Sequence, residues 1–318
     1  MCIRDRFYPS GDRMEVDPHY TAKAYKTFLR NNPSLKKLIF EEGWEELGPY
    51  YIEQVTGHYA VGLGRVESFY IDHDPNIIYL GSRSGGFWKT SNGGETWSNT
   101  TDDLIATGVN TIAVDPNNSN KLLINVRNSK NGTTHGIYKS NDGGDTWTIT
   151  NFNPDSLNWC VLGTNDRINL IKYHPTISGL IFIGTSRGLY RSSDNLMTWN
   201  LIGQPWDNFS QIDFHPTNNS IVYVSRTDED SNILISNDTG INFSDSGSIT
   251  NNFNIKISIS NNCENCIFLA SSDGIWKSTD SGVNFDLVSG EYIDEISNYG
   301  AFAVSDVNSD VILYGDID

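Results

Sequence analysis

Four arginines occupy equivalent places in the sequence, each directly after the second predicted strand of a repeated segment. They are Arg83, Arg127, Arg187 and Arg226, and a fifth segment has Asp273 instead. A guanidinium stays charged at physiological pH, and its paired N–H donors fit a carboxylate or a sulfate. If the four side chains share one face of the fold, they could clamp an acidic ligand. The alternative is that they are solvated loop residues.

Two aspartates are candidates for acid and base chemistry. Asp166 and Asp207 each precede a predicted first strand. Glycoside hydrolysis needs two carboxyl groups separated by about 5 to 10 Å, a distance that the sequence does not fix. The alternative is that both residues cap their loops. No histidine has a nucleophile motif beside it, so a Ser/His/Asp triad is not supported.

Two tryptophans fall in consecutive connections between the repeated segments. Trp159 lies within Asn158-Trp159-Cys160, and Trp206 lies within Pro205-Trp206-Asp207. A flat aromatic ring in such a loop could stack on a sugar, and packing beneath the loop is the alternative.

The cysteines do not predict a metal site. Cys263 and Cys266 form a single CxxC motif, without the second pair that a four-ligand zinc site needs and without a βαβ context for redox work. In an exported protein we expect a local disulfide between them, which leaves Cys160 single. No metal and no cofactor are predicted.

Five similar eight-residue segments recur along the sequence, and the elements that contain them must position the candidate residues above. An Asp or Asn is their third residue and an aromatic residue closes them. The third residues are Asn92, Asp142, Asp194, Asp238 and Asp280, and the closing residues are Trp97, Trp147, Trp199, Phe243 and Phe285. Each segment predicts a hairpin turn in which the side-chain oxygen accepts from backbone N–H groups two residues on and glycine supplies positive φ. We therefore expect a structural role for the ten residues.

The spacing of the segments predicts a repeat unit of about 40 to 50 residues that holds four short strands. Such a unit in tandem is typical of a β-propeller blade, so the predicted fold class is all-β. The predicted blades are residues 65–105, 108–155, 166–204, 209–248 and 254–292, with a partial sixth at 299–318.

Composition limits the partners. The 318 residues carry a formal net charge of −17, and 37% of them are hydrophobic. The acidic balance disfavours nucleic acids and anionic lipid surfaces, which are usually bound by clustered Lys and Arg. No apolar run approaches the roughly 18 to 20 residues that a membrane-spanning helix needs.

The segments, seen most fully in Ser140-Asn141-Asp142-Gly143-Gly144-Asp145-Thr146-Trp147, resemble the Asp-box or BNR repeat. The resemblance covers residues 65–315. Within that superfamily, Gly85–Lys89 and Gly93–Trp97 resemble secreted bacterial proteins whose repeats are similar to the sortilin-type receptor ectodomain. This resemblance implies a β-propeller outside the cell or on its surface. Asn92, Leu196, Phe243 and Phe285 depart from the pattern.

The superfamily also includes sialidases and xyloglucan-active hydrolases. In the xyloglucan-active enzymes an Asp precedes the Gly-Gly of the first blade, where this sequence has Arg83. Sialidases carry an Arg-Ile-Pro signature, and the nearest counterpart, Arg65-Val66-Glu67, lacks the proline. Their nucleophilic tyrosine would fall late in the ring, beyond residue 318.

The segment before the propeller has a different pattern. Residues 1–6 match nothing downstream and are typical of translated adapter or vector sequence, and no signal peptide follows them. Residues 7–48 predict a helical lead-in, with Asp17-Pro18 as a helix start and an end by Pro33. The propeller is assigned to residues 49–318, as an interior fragment of a longer chain.

These observations predict a secreted or cell-surface propeller that binds a protein or carbohydrate through loops on one face without catalysis. The alternative is a glycoside hydrolase, sialidase-like or xyloglucanase-like. A third hypothesis is an assembly or scaffold factor that binds no small ligand.

Overall fold

The computed structural model describes residues 6–7, 13–14, 27–28, 30–32, 65–104, 106, 108–129, 132–154, 167–202, 207–226, 233–246, 255–271, 274–289 and 301–315. The chain divides into two compact units. Unit 1 is Met1–Ile112, Asn125–Tyr138 and Asn153–Asp166; unit 2 is Ala113–Ile124, Lys139–Phe152 and Arg167–Asp318. Most of the predicted helical lead-in lies outside the described residues, so it stays a prediction. Among those described, no helix is long and apolar enough to span a membrane.

The described residues form five four-stranded sheets and two two-stranded ones, and each four-stranded sheet is built from strands consecutive in sequence. A small sheet pairs β1 (Arg6–Phe7) with β2 (Arg13–Met14). Sheet 1 contains β3 (Val66–Ile71), β4 (Ile78–Ser82), β5 (Gly86–Thr90) and β6 (Ser98–Asn99). Sheet 2 contains β7 (Gly108–Asp115), β8 (Asn118–Arg127), β9 (Thr134–Ser140) and β10 (Thr148–Ile149). Sheet 3 contains β11 (Ile168–Tyr173), β12 (Ile181–Thr185), β13 (Gly188–Ser192) and β14 (Asn200–Ile202).

The remaining sheets repeat this order. Sheet 4 contains β15 (Phe209–Phe214), β16 (Val222–Arg226), β17 (Ile233–Ser236) and β18 (Ser244–Asp245). Sheet 5 contains β19 (Lys256–Ile259), β20 (Ile267–Ser271), β21 (Gly274–Ser278) and β22 (Asp286–Ser289). Sheet 6 contains β23 (Ala301–Val304) and β24 (Ile312–Gly315).

An Asp-Pro or His-Pro pair ends the first strand or follows it in sheets 1 to 4, at Asp74-Pro75, Asp115-Pro116, His174-Pro175 and His215-Pro216, and the side chain of the Asp or His accepts hydrogen bonds in the turn. In sheet 2, Asp115 Oδ1 accepts the backbone N–H of Asn117 at 2.9 Å. In sheet 3, Nδ1 of the buried His174 accepts from Thr176 and Ile177 at 3.2 and 3.0 Å. Burial lowers the pKa of His174. A neutral imidazole therefore replaces the carboxylate as acceptor in this turn.

Packing between sheets follows one rule within unit 2. The first strands β11, β15, β19 and β23 contact one another in sequence order. Phe182 of sheet 3 shares a buried cluster with Ile212 of sheet 4, and Tyr223 of sheet 4 shares one with Ile257 of sheet 5. Each fully buried side chain of this size contributes about 1.5 to 3 kcal/mol, so these interfaces hold successive sheets together.

The eight-residue segments form tight turns between the third and fourth strands of sheets 1 to 5. In sheet 2, Ser140 Oγ donates to Asp142 Oδ1 at 2.7 Å and accepts from the N–H of Gly144 at 2.8 Å. Asp142 Oδ1 accepts from the N–H of Thr146 at 2.9 Å, and Oδ2 accepts from its hydroxyl at 2.6 Å. The hydroxyls of Thr146 and Ser140, in that order, are the main groups that lower the pKa of Asp142 to about 2.

The predicted spacing of these hydrogen bonds is wrong. The carboxylate accepts from N–H groups three and four residues on, as Asp238 does from Ile241 and Asn242, rather than two residues on. The serine hydroxyl already accepts from the nearer N–H groups, which leaves the carboxylate free to reach farther. Leu196, which stands where the repeat pattern has glycine, has a positive φ of 64° and a fully buried side chain, so burial offsets the backbone strain.

Candidate functional site

The four arginines lie at or just after the ends of second strands. Arg127 and Arg226 are the last residues of β8 and β16, and Arg83 directly follows β4. Arg187 lies in the turn after β12, where its backbone N–H donates to Thr185 Oγ1. The residue that breaks the series, Asp273, lies outside the described residues.

In unit 1 the structure brings Arg83 and Arg127 to one carboxylate, that of Glu67. Nη1 of Arg127 lies 3.2 Å from Glu67 Oε2, and Nη1 of Arg83 lies 3.7 Å from Oε1. Nε of Arg65 is 3.6 Å from the same Oε1. Only 10% of the Glu67 side chain is exposed, so the attraction between its carboxylate and the three guanidinium groups is screened less than at an open surface.

Local structure explains the position of Glu67. The pairing of β3 with β4 shifts register between Val66 and Ser68, so Glu67 forms a bulge. A bulge leaves its extra residue outside the ladder and re-aims its side chain. Arg83 is fixed from the other side, because its Nε donates to the carbonyl of Ser129 at 3.1 Å. The sequence did not predict that Glu67 is the partner of these arginines. The available signal was a charged residue within the predicted strand Val66–Ile71.

In unit 2 the structure joins two residues that sequence analysis assigned to different roles. Nη1 of Arg226, a clamp candidate, donates to Oδ2 of Asp207, an acid/base candidate, at 3.3 Å. Nη2 of Arg226 is 3.9 Å from Asp245 Oδ1. Asp207 precedes β15, so this ion pair links the start of the first strand of sheet 4 to the end of the second.

Four other candidate residues cannot be placed. Asp166, Trp159, Cys160 and Trp206 lie outside the described residues, so their roles stay predictions.

Cys263 and Cys266 form a disulfide within the turn between β19 and β20. The backbone N–H of Cys266 donates to the carbonyl of Cys263 at 3.1 Å. Cys266 is buried in a cluster with Phe268 and Val304, so the disulfide braces the turn beside the packing of sheets 5 and 6.

Two charged groups on first strands were missed from sequence. Lys172 of β11 donates to Asp213 Oδ1 of β15 at 2.9 Å and to the Ile212 carbonyl at 3.1 Å. Lys256 of β19 is buried, and burial lowers its pKa. Each lysine stands between two apolar residues in the sequence, Lys172 between Ile171 and Tyr173 and Lys256 between Ile255 and Ile257, and this alternation was the available signal.

The chain matches no protein-family model and no curated protein. It is similar to solved structures. An ancestral GH74 enzyme matches with a TM-score of 0.60 and 19% identity, over 80% of this chain and 35% of that one. A Niastella koreensis GH74 enzyme matches with a TM-score of 0.55 and 22% identity, over 70% and 38%.

A third similar structure is the extracellular domain of the one-component system BT4673 from B. thetaiotaomicron. Its TM-score is 0.52 at 14% identity, over 76% of this chain and 29% of that one. The chain thus spans between 29% and 38% of the length of these three structures. At such identities the likeness shows the fold alone. Together with the series of four-stranded sheets, it confirms the predicted class: the chain is an all-β protein with the β-propeller fold.

Proposed function

We propose that this propeller is a non-catalytic binding domain that holds a protein or a glycan through the loops at the ends of its second strands. The observation that carries the proposal is the pairing of acidic with basic side chains at those ends. Glu67 is held by Arg127 and Arg83, and Asp207 is held by Arg226.

These ion pairs count against glycoside hydrolysis at the described strand ends. Hydrolysis uses one carboxyl group to donate a proton and a second to act as base or nucleophile. Glu67 and Asp207 instead direct oxygens at guanidinium groups. Arg83, at the place where the resemblance to xyloglucan-active enzymes would put an aspartate, cannot act as a base because it stays protonated.

The same geometry suits recognition. The Arg83 side chain is 32% exposed, yet its Nε is fixed to the Ser129 carbonyl and one Nη lies near Glu67. A guanidinium that is already oriented loses little conformational entropy when it binds. Arg83 can therefore present its remaining N–H donors to a carboxylate, sulfate or carbonyl of a ligand.

The proposal places the protein outside the cell. Disulfides such as Cys263–Cys266 persist in oxidising compartments, and that bond supports export. The resemblance of the repeats to secreted proteins agrees with this location.

A glycoside hydrolase is the second candidate, and one observation favours it: two of the similar structures are GH74 enzymes. Their likeness covers the fold rather than a catalytic pair. If the chain is a hydrolase, Asp166 would have to supply one of the two catalytic carboxyl groups. Asp207 would have to supply the other, and its ion pair with Arg226 would have to break.

Affinity electrophoresis against a panel of neutral and acidic polysaccharides tests the proposal. We expect retention by at least one polysaccharide, weaker retention of Arg83→Gln, and unchanged retention of the control Lys139→Gln, which removes an exposed charge from β9. Release of reducing sugar from any polysaccharide in the panel would overturn the non-catalytic proposal.

A further inference from the structure

Polar side chains connect successive first strands within unit 2. Each first strand is the edge of its sheet, so its outward backbone groups have no strand partner in that sheet. Oε1 of Gln211 on β15 accepts the backbone N–H of Ile257 on β19 at 2.5 Å. Oγ of Ser258 on β19 accepts the backbone N–H of Val304 on β23 at 2.9 Å. A side chain of one sheet thus satisfies the edge of the next.

Lys256 of β19 occupies the register position that Gln211 has on β15. Gln211 pairs with Ser225, Lys256 pairs with Ala270, and each precedes a buried isoleucine. An ammonium group only donates hydrogen bonds, so Lys256 cannot accept a backbone N–H as Gln211 does. Only 8% of Lys256 is exposed. Among the residues that the structure describes, none provides a hydrogen bond or an ion pair to its ammonium group.

Lys172 of β11 shows how a lysine on a first strand is usually stabilised. Its side chain is 44% exposed, and its Nζ donates to Asp213 Oδ1 at 2.9 Å. Lys256 has little contact with water, and within the described part of the chain no carboxylate opposes the effect of burial on its pKa. A buried ammonium without a partner gives up its hydration and gains nothing in return. An anion bound beside Lys256 would supply the missing interaction.

Lys256 also lies at the end of sheet 5 that corresponds to the arginine positions. It is the first residue of β19, and its partner Ala270 precedes Ser271, the last residue of β20. In sheet 4 the last residue of the second strand is Arg226. After β20 the sequence has Asp273 in place of such an arginine. Sheet 5 thus has a basic side chain at this end on its first strand instead of after its second.

We infer that Lys256 binds an oxyanion, namely a carboxylate or a sulfate group. Hydrogen bonds from an ammonium group to an ionised oxygen are about twice as strong as neutral ones. Ser258 lies two residues on, on the same face of β19, and its hydroxyl can donate while its oxygen accepts from Val304. The anion is either free in solution or part of an acidic sugar in a bound glycan, and only the second source rests on the proposed function.

Thermal unfolding of the full chain with two sodium salts tests this inference. Acetate supplies a free carboxylate and galacturonate supplies an acidic sugar; sodium chloride at equal ionic strength and neutral galactose are the blanks. We expect a saturable rise in the Tm of the parent, of about 2 to 4 °C at about ten times the Kd. Lys256→Met should abolish the rise. The control Lys139→Met, which removes an exposed charge from β9, should keep it.

The two salts distinguish the sources of the anion. A rise with both assigns the site to carboxylates in general, and a rise with galacturonate alone assigns it to an acidic sugar. No rise in the parent, or an equal rise in Lys256→Met, would overturn the inference.

The Tm of Lys256→Met without added anion gives a second measurement. Methionine has a similar length and no charge, so the substitution should leave the Tm equal to that of the parent or higher. A clearly lower Tm would overturn the inference, because a carboxylate of the chain itself would then be the partner. If this variant does not fold, the NMR signal of Nζ of Lys256 in the parent decides. It should shift saturably with galacturonate, and an unmoved signal would overturn the inference.

Affinity electrophoresis on polygalacturonate and on its methyl ester separates this inference from the proposed function. We expect retention of the parent by the acidic polymer, and weaker retention by the ester or of Lys256→Met. Equal retention by both polymers, of both the parent and Lys256→Met, would overturn the inference and leave the proposed function standing. If neither polymer retains the parent while the effect of acetate depends on Lys256, the anion site stands without the proposed function.

Discussion

Glu67 Oε2 lies 3.2 Å from Nη1 of Arg127, and this ion pair joins the bulge of strand β3 to the end of strand β8 within unit 1. Both side chains are nearly nine-tenths buried. Arg83 and Arg65 lie within 4 Å of the same carboxylate. The carboxylate thus holds together the basic groups that the proposed binding function uses.

Replacing that carboxylate should destabilise the fold. Glu67→Gln leaves Arg127 beside a neutral amide, and we expect a loss of about 1 to 3 kcal/mol, between the values for exposed and buried ion pairs. Urea unfolding measures the difference. Glu95→Gln, at an exposed turn residue, is the control and should change stability by less than about 0.5 kcal/mol. Equal effects of the two substitutions would contradict the role assigned to Glu67.

Stability should fall in acid because of the turn carboxylates. Hydrogen bonds lower the pKa of Asp142 and Asp280 to about 2, and they also lower the pKa of Asp194 and Asp238. A carboxylate with a lowered folded-state pKa binds fewer protons when folded, so its stabilisation is complete above the unfolded value near 4. It is lost as pH falls through about 2.

Unfolding by urea at several pH values between 7 and 2 measures this loss. The variant Asp280→Asn should flatten the dependence between pH 4 and pH 2, since the amide does not titrate. An unchanged pH dependence in the variant would show that this carboxylate is not the source.

The turn between β5 and β6 of sheet 1 has Asn92 where the other four turns have aspartate, so it allows the reverse substitution, from asparagine to aspartate. Asn92 accepts the N–H of Thr96 through Oδ1 at 3.0 Å, as Asp142 does with Thr146. Asn92→Asp supplies the charged acceptor found in the other four turns, and we expect a gain of about 0.5 to 1 kcal/mol at pH 7. Thermal unfolding at pH 7 measures it. The gain should vanish near pH 2, and a loss at pH 7 would contradict the equivalence of the five turns.

Turns and strand order could be predicted from sequence because short-range contacts fix them. The Ser140–Asp142–Thr146 network lies within one segment, so its residue types recur wherever the turn recurs. The pairing of Glu67 with Arg127 could not be predicted in that way. It depends on a bulge and on contact between residues distant in sequence, and neither leaves a periodic signal. Asp166, Trp159 and Trp206 fall in connections without a repeated pattern.

Alanine substitutions at two glycines with similar φ angles distinguish the cost of backbone strain from the cost of a steric clash. Gly240 has φ +72°, and a Cβ there would clash with the Phe182 ring of the preceding sheet. Gly93 has φ +69°, and its nearest neighbour would be Asn76 Oδ1 at 3.6 Å. Non-glycine residues, including Thr239 and Ser281, occupy positions equivalent to Gly93 at positive φ.

Gly240→Ala should therefore cost about 1 to 3 kcal/mol more than Gly93→Ala, because only the former adds overpacking to backbone strain. Urea unfolding of the two variants gives the difference. Similar losses in both would mean that the turn of sheet 4 does not pack on Phe182 as described.

The central claim is that the arginines at second-strand ends bind a ligand and that the chain does not hydrolyse it. The most direct measurement follows binding and hydrolysis in one sample. The ligand is the polysaccharide that retains the parent chain most strongly. Isothermal titration calorimetry measures binding, and a reducing-end assay on the same mixture measures hydrolysis. The account predicts saturable binding that Arg83→Gln weakens about tenfold, equal to about 1.4 kcal/mol, and a reducing-end signal that stays at the blank. Equal affinity of the parent and Arg83→Gln, or reducing ends that accumulate with time, would contradict it.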